Sequence, residues 1–580
     1  MSPHPAAAQQ YINLPGTQPG ELDNATPLDT AAPCGTSCHF DRDPTMPQNP
    51  MPYDGWLGSM MGNAMRDPLF LAALTVAEQD VPGVGDYCLR CHTPSGFLAG
   101  RTRSTPTASR GTELEPGDLD GVSCDVCHRM EATTNVGSAQ YVISPGDTRY
   151  GPYANIDSIR HPGAVSTWLP DSRMCGTCHS ILNPARPLLR VDGTDTGQRF
   201  PLDTSYDEWA NSAFAVTGSP DARTCQDCHM PRRGRPGFVS TNNTAMMRED
   251  PRSHDLAGAN SWMLRVLRDM RNDMGSGEFY DPELAPFYEV GAQRAEAMLR
   301  DSLTLEVREA PTRANPGDSV QLVARITNRS GHRLPTGYAD GRRVWLEVAL
   351  VDATGRATVI SGAYDDAEAH LDTADTQLHI YEAHHGRSGM GHGEHIALHD
   401  TIFKDTRIPP RGYRPAPGHE PVGADYSGGE AGALRHWDDA RYTIAIPPGA
   451  QGQFTLRVRA RYQSTTREYV EFLARENRTD DRGMELLRRY NASGRAAPFT
   501  MAEATAPLQV GDAVTPSDAG APSDASAPTD TGVPADTGPG RIEPNCGCAT
   551  QSPSSSKGAA WALLLAALAS LSPRRRRAPR

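Results

Sequence analysis

The stretch Asp120-Gly121-Val122-Ser123-Cys124-Asp125-Val126-Cys127-His128 carries two cysteines three positions apart, with a histidine directly after the second. The same spacing returns in Cys88-Leu89-Arg90-Cys91-His92, Cys175-Gly176-Thr177-Cys178-His179 and Cys225-Gln226-Asp227-Cys228-His229. A further pair, Cys34-Gly35-Thr36-Ser37-Cys38-His39, has one additional residue between its thiols and keeps the histidine. Ten of the twelve cysteines therefore fall into five Cys/Cys/His sets. A disulfide framework does not require a histidine after each pair. Covalent haem does: two thiols add to the vinyl groups of the ring, and the adjacent imidazole becomes the proximal iron ligand. Zinc held by four thiolates, or by three thiolates and an imidazole, is the competing reading, and it leaves the histidine after every pair without a role. The expectation is about five covalently bound haem c groups, with His39, His92, His128, His179 and His229 on the irons.

The second axial ligand sets a haem's potential and reactivity. His161, in Arg160-His161-Pro162, and His254, in Ser253-His254-Asp255, are candidates, against a reading of both as solvated loop histidines. His332 lies in Gly331-His332-Arg333-Leu334-Pro335-Thr336-Gly337, where glycine and proline make a tight turn able to push the ring toward a neighbouring haem. Met60 and Met61 offer sulfur, against packing in a helix core. Residues 370–399 hold His370, His379, His384, His385, His392, His395 and His399. Their composition points to metal binding, but the preferred reading is a mobile His/Gly loop of which one member, at most two, reaches a haem.

The chain has 580 residues and a formal charge of −14, so it is long enough for two folded domains plus tails and is not the basic chain expected of a nucleic-acid binder. The 54 glycines and 49 prolines indicate much irregular backbone. Residues 1–30 carry no charged start followed by an apolar run and read as the remnant after a missed upstream signal peptide, with Ala6-Ala7-Ala8-Gln9-Gln10 as the trace of a cleavage site. Residues 31–302 read as a mainly α and irregular pentahaem domain, with short helices over Pro68 to Glu78 and Pro282 to Leu303. From 303 to 510 the apolar period becomes two, in Leu303 to Val307, Val320 to Ile326, Val344 to Val351, Tyr442 to Ile446 and Phe454 to Tyr462. This predicts a β-sandwich-like domain closed by a helix over Arg467 to Tyr490, interrupted near Thr479 to Gly483. The fold class is thus multidomain α+β, a multihaem segment followed by an all-β segment. Residues 511–545 repeat Pro-Ser-Asp and Pro-Thr-Asp units and form an extended linker. Residues 546–580 join Cys546 and Cys548 to a short apolar run and an arginine cluster, too short for a stable membrane span and suited to a sorting signal.

Several segments between the motifs carry a family likeness. Tyr53-Asp54-Gly55-Trp56-Leu57-Gly58-Ser59-Met60-Met61, Asp67-Pro68-Leu69-Phe70, the stretch from Asp120 to His128 and Cys225-Gln226-Asp227-Cys228-His229-Met230-Pro231 resemble multihaem cytochromes of the cytochrome c-554 type. That resemblance implies that His161, ahead of a Cys-Gly-Thr-Cys-His motif, and His254, after the last motif, are distal ligands. It places a histidine where this chain has Met60, so Met60, Met61 or a vacancy all stay open for one haem. Residues 331–337 and Asp405-Thr406-Arg407-Ile408-Pro409-Pro410-Arg411-Gly412 are similar to the C-terminal domain appended to such cytochromes. The tail from Cys546 resembles a myxobacterial sorting tag, which implies surface anchoring through Cys546 or Cys548.

Five haems whose motifs follow one another at intervals of about 36 to 54 residues must lie close together, and close irons favour conduction. The expected function is electron transfer between redox partner proteins, with the chain exported to the periplasm or the outer surface and no nucleic-acid partner. The alternative is an oxidoreductase acting on a small nitrogen or sulfur compound at one five-coordinate haem; no catalytic residue is singled out for it.

Overall fold

Alternation along Ser319–Asn328 puts Leu322, Ala324 and Ile326 on one face of a strand, and all three are buried. That strand is the centre of a three-stranded antiparallel sheet, between Leu303–Glu309 and Trp437–Ala445. Its buried face packs on a larger sheet whose strands we number along the chain: β1 (Ile181–Leu189), β2 (Asp195–Asp203), β3 (Arg343–Asp352), β4 (Ile380–Arg387), β5 (Thr401–Asp405), β6 (Gly452–Gln463) and β7 (Phe499–Val510). Their order across the sheet is β7-β6-β3-β4-β5-β1-β2. Leu346, Val348 and Leu350 on β3 stand opposite Ala460, Val458 and Leu456 on β6, and with Tyr442 and Ile444 of the small sheet they fill one core. The computed structural model describes residues 14–23, 26–41, 51–102, 113–154, 160–241, 247–338 and 340–511. Residues 1–13 and the linker and sorting segment beyond 511, with Cys546 and Cys548, lie outside the described residues.

Two strands of the large sheet differ from the sequence expectation. β1 and β2 come from the segment read as helical and irregular, and they join the sheet where Thr401 pairs with Leu189. Pro184 and Pro187 hide this strand from pattern reading, because proline removes a ladder donor and belongs to sheet edges or irregular pairings; the register here shifts on both sides of Pro187. The histidine-rich region is likewise more ordered than a mobile loop. His384 and His385 sit inside β4.

A second core is helical. Helix α1 (Pro68–Asp80) begins at Asp67, whose carboxylate accepts from the backbone of Leu69 at 2.8 Å, with Pro68 at the first helical position. Helices α2 (Ser261–Asn272) and α3 (Ala285–Asp301) pack on each other in the same core, and late in the chain α4 (Arg467–Glu476) and α5 (Arg482–Ala492) pack on α1. The interruption expected near 479–483 is the turn between α4 and α5. Val76, Met263, Leu267, Phe287, Ala292, Leu473 and Leu486 meet in this core, so helices from both ends of the described chain share it. A Cβ at Gly291 on α3 would collide with the carbonyl oxygen of Gly58. Glycine here allows the backbone of α3 to lie against the 51–63 segment. No helix among the described residues is long and apolar enough to cross a membrane.

Candidate haem-binding cavity

Each Cys-x-x-Cys-His motif occupies the end of a short helix: Gly85–His92, Cys124–His128, Ser172–His179 and Cys225–His229. Positions i, i+3 and i+4 share one face of a helical turn, so the spacing aims both thiols and the imidazole the same way. The turns are capped locally. Asp171 accepts from Arg173 N at 2.8 Å, and Thr224 N donates to Asp227 at 2.8 Å. Gly121 has φ +60, and a Cβ there would lie 2.5 Å from Met61 O; the glycine lets Val122 N donate to that same oxygen at 3.0 Å as the chain enters the Cys124 turn.

The first pair shows how an additional residue is absorbed. Its helix ends at Ser37, and His39 N donates to Cys34 O at 2.9 Å, closing a wider turn than a regular helix makes. Cys34, Cys38 and His39 still face the same space.

That space is a single cavity of about 1790 Å³ lined by all five motifs. It exceeds the roughly 300–1,000 Å³ of a pocket for one drug-sized ligand, so it has room for several groups. Thiols of different motifs meet at its walls: Cys34 with Cys124, Cys91 with Cys178, and Cys175 with Cys225. The motifs are therefore neighbours, the first beside the third, the fourth beside both the second and the fifth. Among the described residues, the one cluster of three side chains spaced to share a metal ion is Asp340, His385 and His399, not a cysteine set.

The motif histidines are oriented by their Nδ1 atoms. Nδ1–H donates to Val239 O from His39 (2.6 Å), to Ala64 O from His92 (3.1 Å), to Tyr150 O from His128 (2.7 Å) and to Ala257 O from His229 (2.6 Å). A carbonyl only accepts, so the proton sits on Nδ1 and Nε2 keeps its lone pair, the arrangement found at metal-bound imidazoles. Burial pushes His92 and His229 down to about 4 and lowers His39 and His128, which keeps these rings neutral. His179 differs. Burial works against its charged form, but the Asp203 carboxylate, 3.5 Å from Nδ1, outweighs this and raises it to about 9. A carboxylate behind the ring makes a more basic ligand than a carbonyl does.

The sequence candidates for the opposite axial position also reach the cavity: His161, His254, His332, Met60 and Met61 all line it. The His254 ring lies 6.2 Å from that of His128, with the planes 18° apart; the His332 ring lies 6.3 Å from that of His229, at 27°. Two metal–imidazole bonds of about 2 Å and two ring radii of about 1 Å sum to roughly 6 Å, so each pair admits one ion between its rings. Burial lowers His254 to about 3 and lowers His332, so both are neutral. His161 is less buried and lies within electrostatic reach of His39 and His128. Met60 lines the cavity and also packs against the helical core. Phe70 stacks on His92 at 3.5 Å with the rings 3° apart, which fixes the rotation of that imidazole.

The His332 ring is carried by a turn held from below. Glu208, fully buried, accepts from Arg333 N (2.9 Å) and from Thr336 Oγ1 (2.9 Å). Arg333 and Arg407 share Glu208 and Asp405 in one buried ionic cluster. Asp203, Glu208 and the carbonyls behind the motif histidines were not legible in sequence. A backbone carbonyl carries no residue identity, and the two carboxylates act only once β2 and the following helix are folded against the motifs.

No protein-family model and no curated protein matches the chain. Among solved structures, a penta-haem cytochrome c552 from Thermochromatium tepidum is similar to it at 16% identity over 79% of this chain and 95% of that one, with a TM-score of 0.45. The alkylpurine DNA glycosylase AlkC of Pseudomonas fluorescens, bound to DNA with an abasic-site analogue, overlaps at 10% identity over 43% and 46% of the two chains, with a TM-score of 0.13. Neither overlap is close enough to carry function across, so the functional reading rests on the cavity itself.

Proposed function

We propose that the chain is a pentahaem c-type cytochrome that transfers electrons. The observation that carries this reading is the convergence of five Cys/Cys/His sets on one cavity, with the Nε2 lone pair free on four of the five imidazoles. Each thiol pair would hold one haem by two thioether bonds, and the following histidine would ligate its iron. Bound haem supplies one-electron chemistry; the protein holds the rings in register and excludes bulk water from them.

On their ring separations, His128 with His254 and His229 with His332 would each hold one haem iron between them. His161, within electrostatic reach of His39, would serve the haem of His39, with His254 already facing His128. Met60 and Met61, which both line the cavity, would supply sulfur to the two remaining haems, those of His92 and His179. Thiol contacts join the first motif to the third and the fourth to the second and fifth, and Cys127 of the third lies within electrostatic reach of Cys175 and Cys178 of the fourth; this supports a conduction path from the first motif through the third and fourth to the fifth, with the second as a side branch. Redox proteins are the proposed partners, and the proposed location is the periplasm or the outer surface, because covalent haem attachment follows export.

The test is a visible and electron paramagnetic resonance spectrum of the purified protein, with carbon monoxide and nitrite added. Five low-spin c-type haems that ignore both ligands are expected. A high-spin fraction of about one in five that binds them would replace this reading with the enzymatic one. Fewer than five haems, with zinc in the motifs, would overturn it altogether.

A further inference from the structure

Asp340, His385 and His399 lie on three separate segments, none of them a Cys-x-x-Cys-His motif, and come together in the fold. All three are buried, with His399 1% exposed. His385 Nδ1 is 2.7 Å from Asp340 Oδ2, and His385 N donates to Asp340 Oδ1 at 3.2 Å. His399 Nε2–H donates to Gly393 O at 2.8 Å, which places its proton on Nε2. Its Nδ1 therefore has a bare lone pair, is buried, and makes no hydrogen bond; Asp340 Oδ2 is 3.8 Å away. A hydrogen-bonded Asp–His–His network would not leave that nitrogen without a donor.

We propose that Asp340, His385 and His399 bind one divalent transition-metal ion of the zinc class. Two metal–ligand bonds of about 2.0–2.1 Å at a tetrahedral angle span roughly 3.4 Å, between the 2.7 and 3.8 Å that now separate Asp340 Oδ2 from the two imidazoles. A shift of about half an ångström on each side seats the ion. On binding, the His385 proton moves from Nδ1 to Nε2, so that Nδ1 faces the metal and no net proton is lost. Gly393 O orients the His399 ring from behind, as second partners do at metal-bound histidines. Phe200 closes the site, its ring standing edge-on to His385 at 5.2 Å and to His399 at 5.7 Å. Two imidazoles and one carboxylate leave coordination to be completed by water. The ion ties the turn at Asp340 to β4 and to the segment after it, on the wall where Asp340 borders the haem cavity.

The test is elemental analysis of the full-length protein, stripped with a chelator and then equilibrated with zinc chloride by dialysis. About one zinc per chain is expected, with His399→Gln and Asp340→Asn weakening uptake at least about tenfold. Iron content and circular dichroism unchanged from wild type show that each variant is folded. His384 and His392, whose rings lie 4.5 Å apart and are more exposed, are the nearby surface competitors. His384→Ala should leave uptake intact. Wild-type protein that retains less than about a tenth of an equivalent, or variants that bind as wild type does, would overturn the proposal. Should a variant fail to fold, anomalous diffraction at the zinc edge from wild-type crystals decides: a peak between the three residues supports the site, and a peak only elsewhere sinks it. Zinc uptake is independent of haem content, so this result and the haem reading stand or fall separately.

Discussion

Glu208→Ala tests whether the turn carrying His332 is held by buried charge. In the native chain two guanidinium groups, Arg333 and Arg407, with side chains 3% and 5% exposed, share two carboxylates, Glu208 and Asp405. Removing Glu208 leaves two buried cations to one anion. It also strips partners from Arg333 N, Thr336 Oγ1 and Thr204 Oγ1, the last at 3.0 Å from Glu208 Oε1. Breaking a buried pair by deleting one member costs about 3–5 kcal/mol, chiefly because the remaining charge has no compensation. Glu208→Gln retains acceptor and shape while losing the charge, so a smaller loss of about 1–3 kcal/mol is expected. The assay is urea denaturation followed by circular dichroism, with the spin state of the folded variant measured alongside. If the turn depends on this cluster, Glu208→Ala also frees His332 from its place opposite His229, and about one haem in five becomes high-spin. A stability change under about 1 kcal/mol, the size typical of an exposed ion pair, would refute the reasoning.

His254→Ala should open the haem of His128 alone, producing a carbon monoxide-binding fraction of about one in five while the haem content holds; an unchanged spectrum would remove His254 from the axial position. Acid should act on the same ionic cluster. Burial alone would raise the Asp405 carboxyl, but Arg407 and Arg333 hold it at about 2, below its ordinary value of 3.8. Its stabilisation is thus complete above about pH 4 and is lost as pH falls through 2, about 2 kcal/mol in all, and Asp405→Asn should flatten the stability curve in that window. Gly291→Ala should destabilise the fold by about 1–3 kcal/mol through its collision with Gly58, read as a shift in the urea midpoint. Leu346→Ala, in the shared core of the two sheets, should cost about 2–5 kcal/mol in the same measurement.

The motif geometry was legible in sequence because it is local. Thiol, thiol and imidazole at i, i+3 and i+4 need a single helical turn to share a face, and even the longer Cys34 pair resolves within one wider turn. The strands of 319–328 and 452–463 were legible for the same reason, since a period of two is written in adjacent residues, and 343–352, buried on both faces, is legible as a near-continuous apolar run. Pairings across the chain were not. His254 and His332 could be named as candidates, but only assembly of the loops against the motifs puts one opposite His128 and the other opposite His229. β1 and β2 read as irregular because of their prolines, and it is the edge of β5 that draws them into the sheet. Among seven histidines in one stretch, composition gave no reason to prefer His385 and His399. They differ from the others in meeting Asp340 in a buried space, and burial is a property of the packed chain: local chemistry travels with the residues, whereas the partner of each buried group is decided by which segments exclude water together.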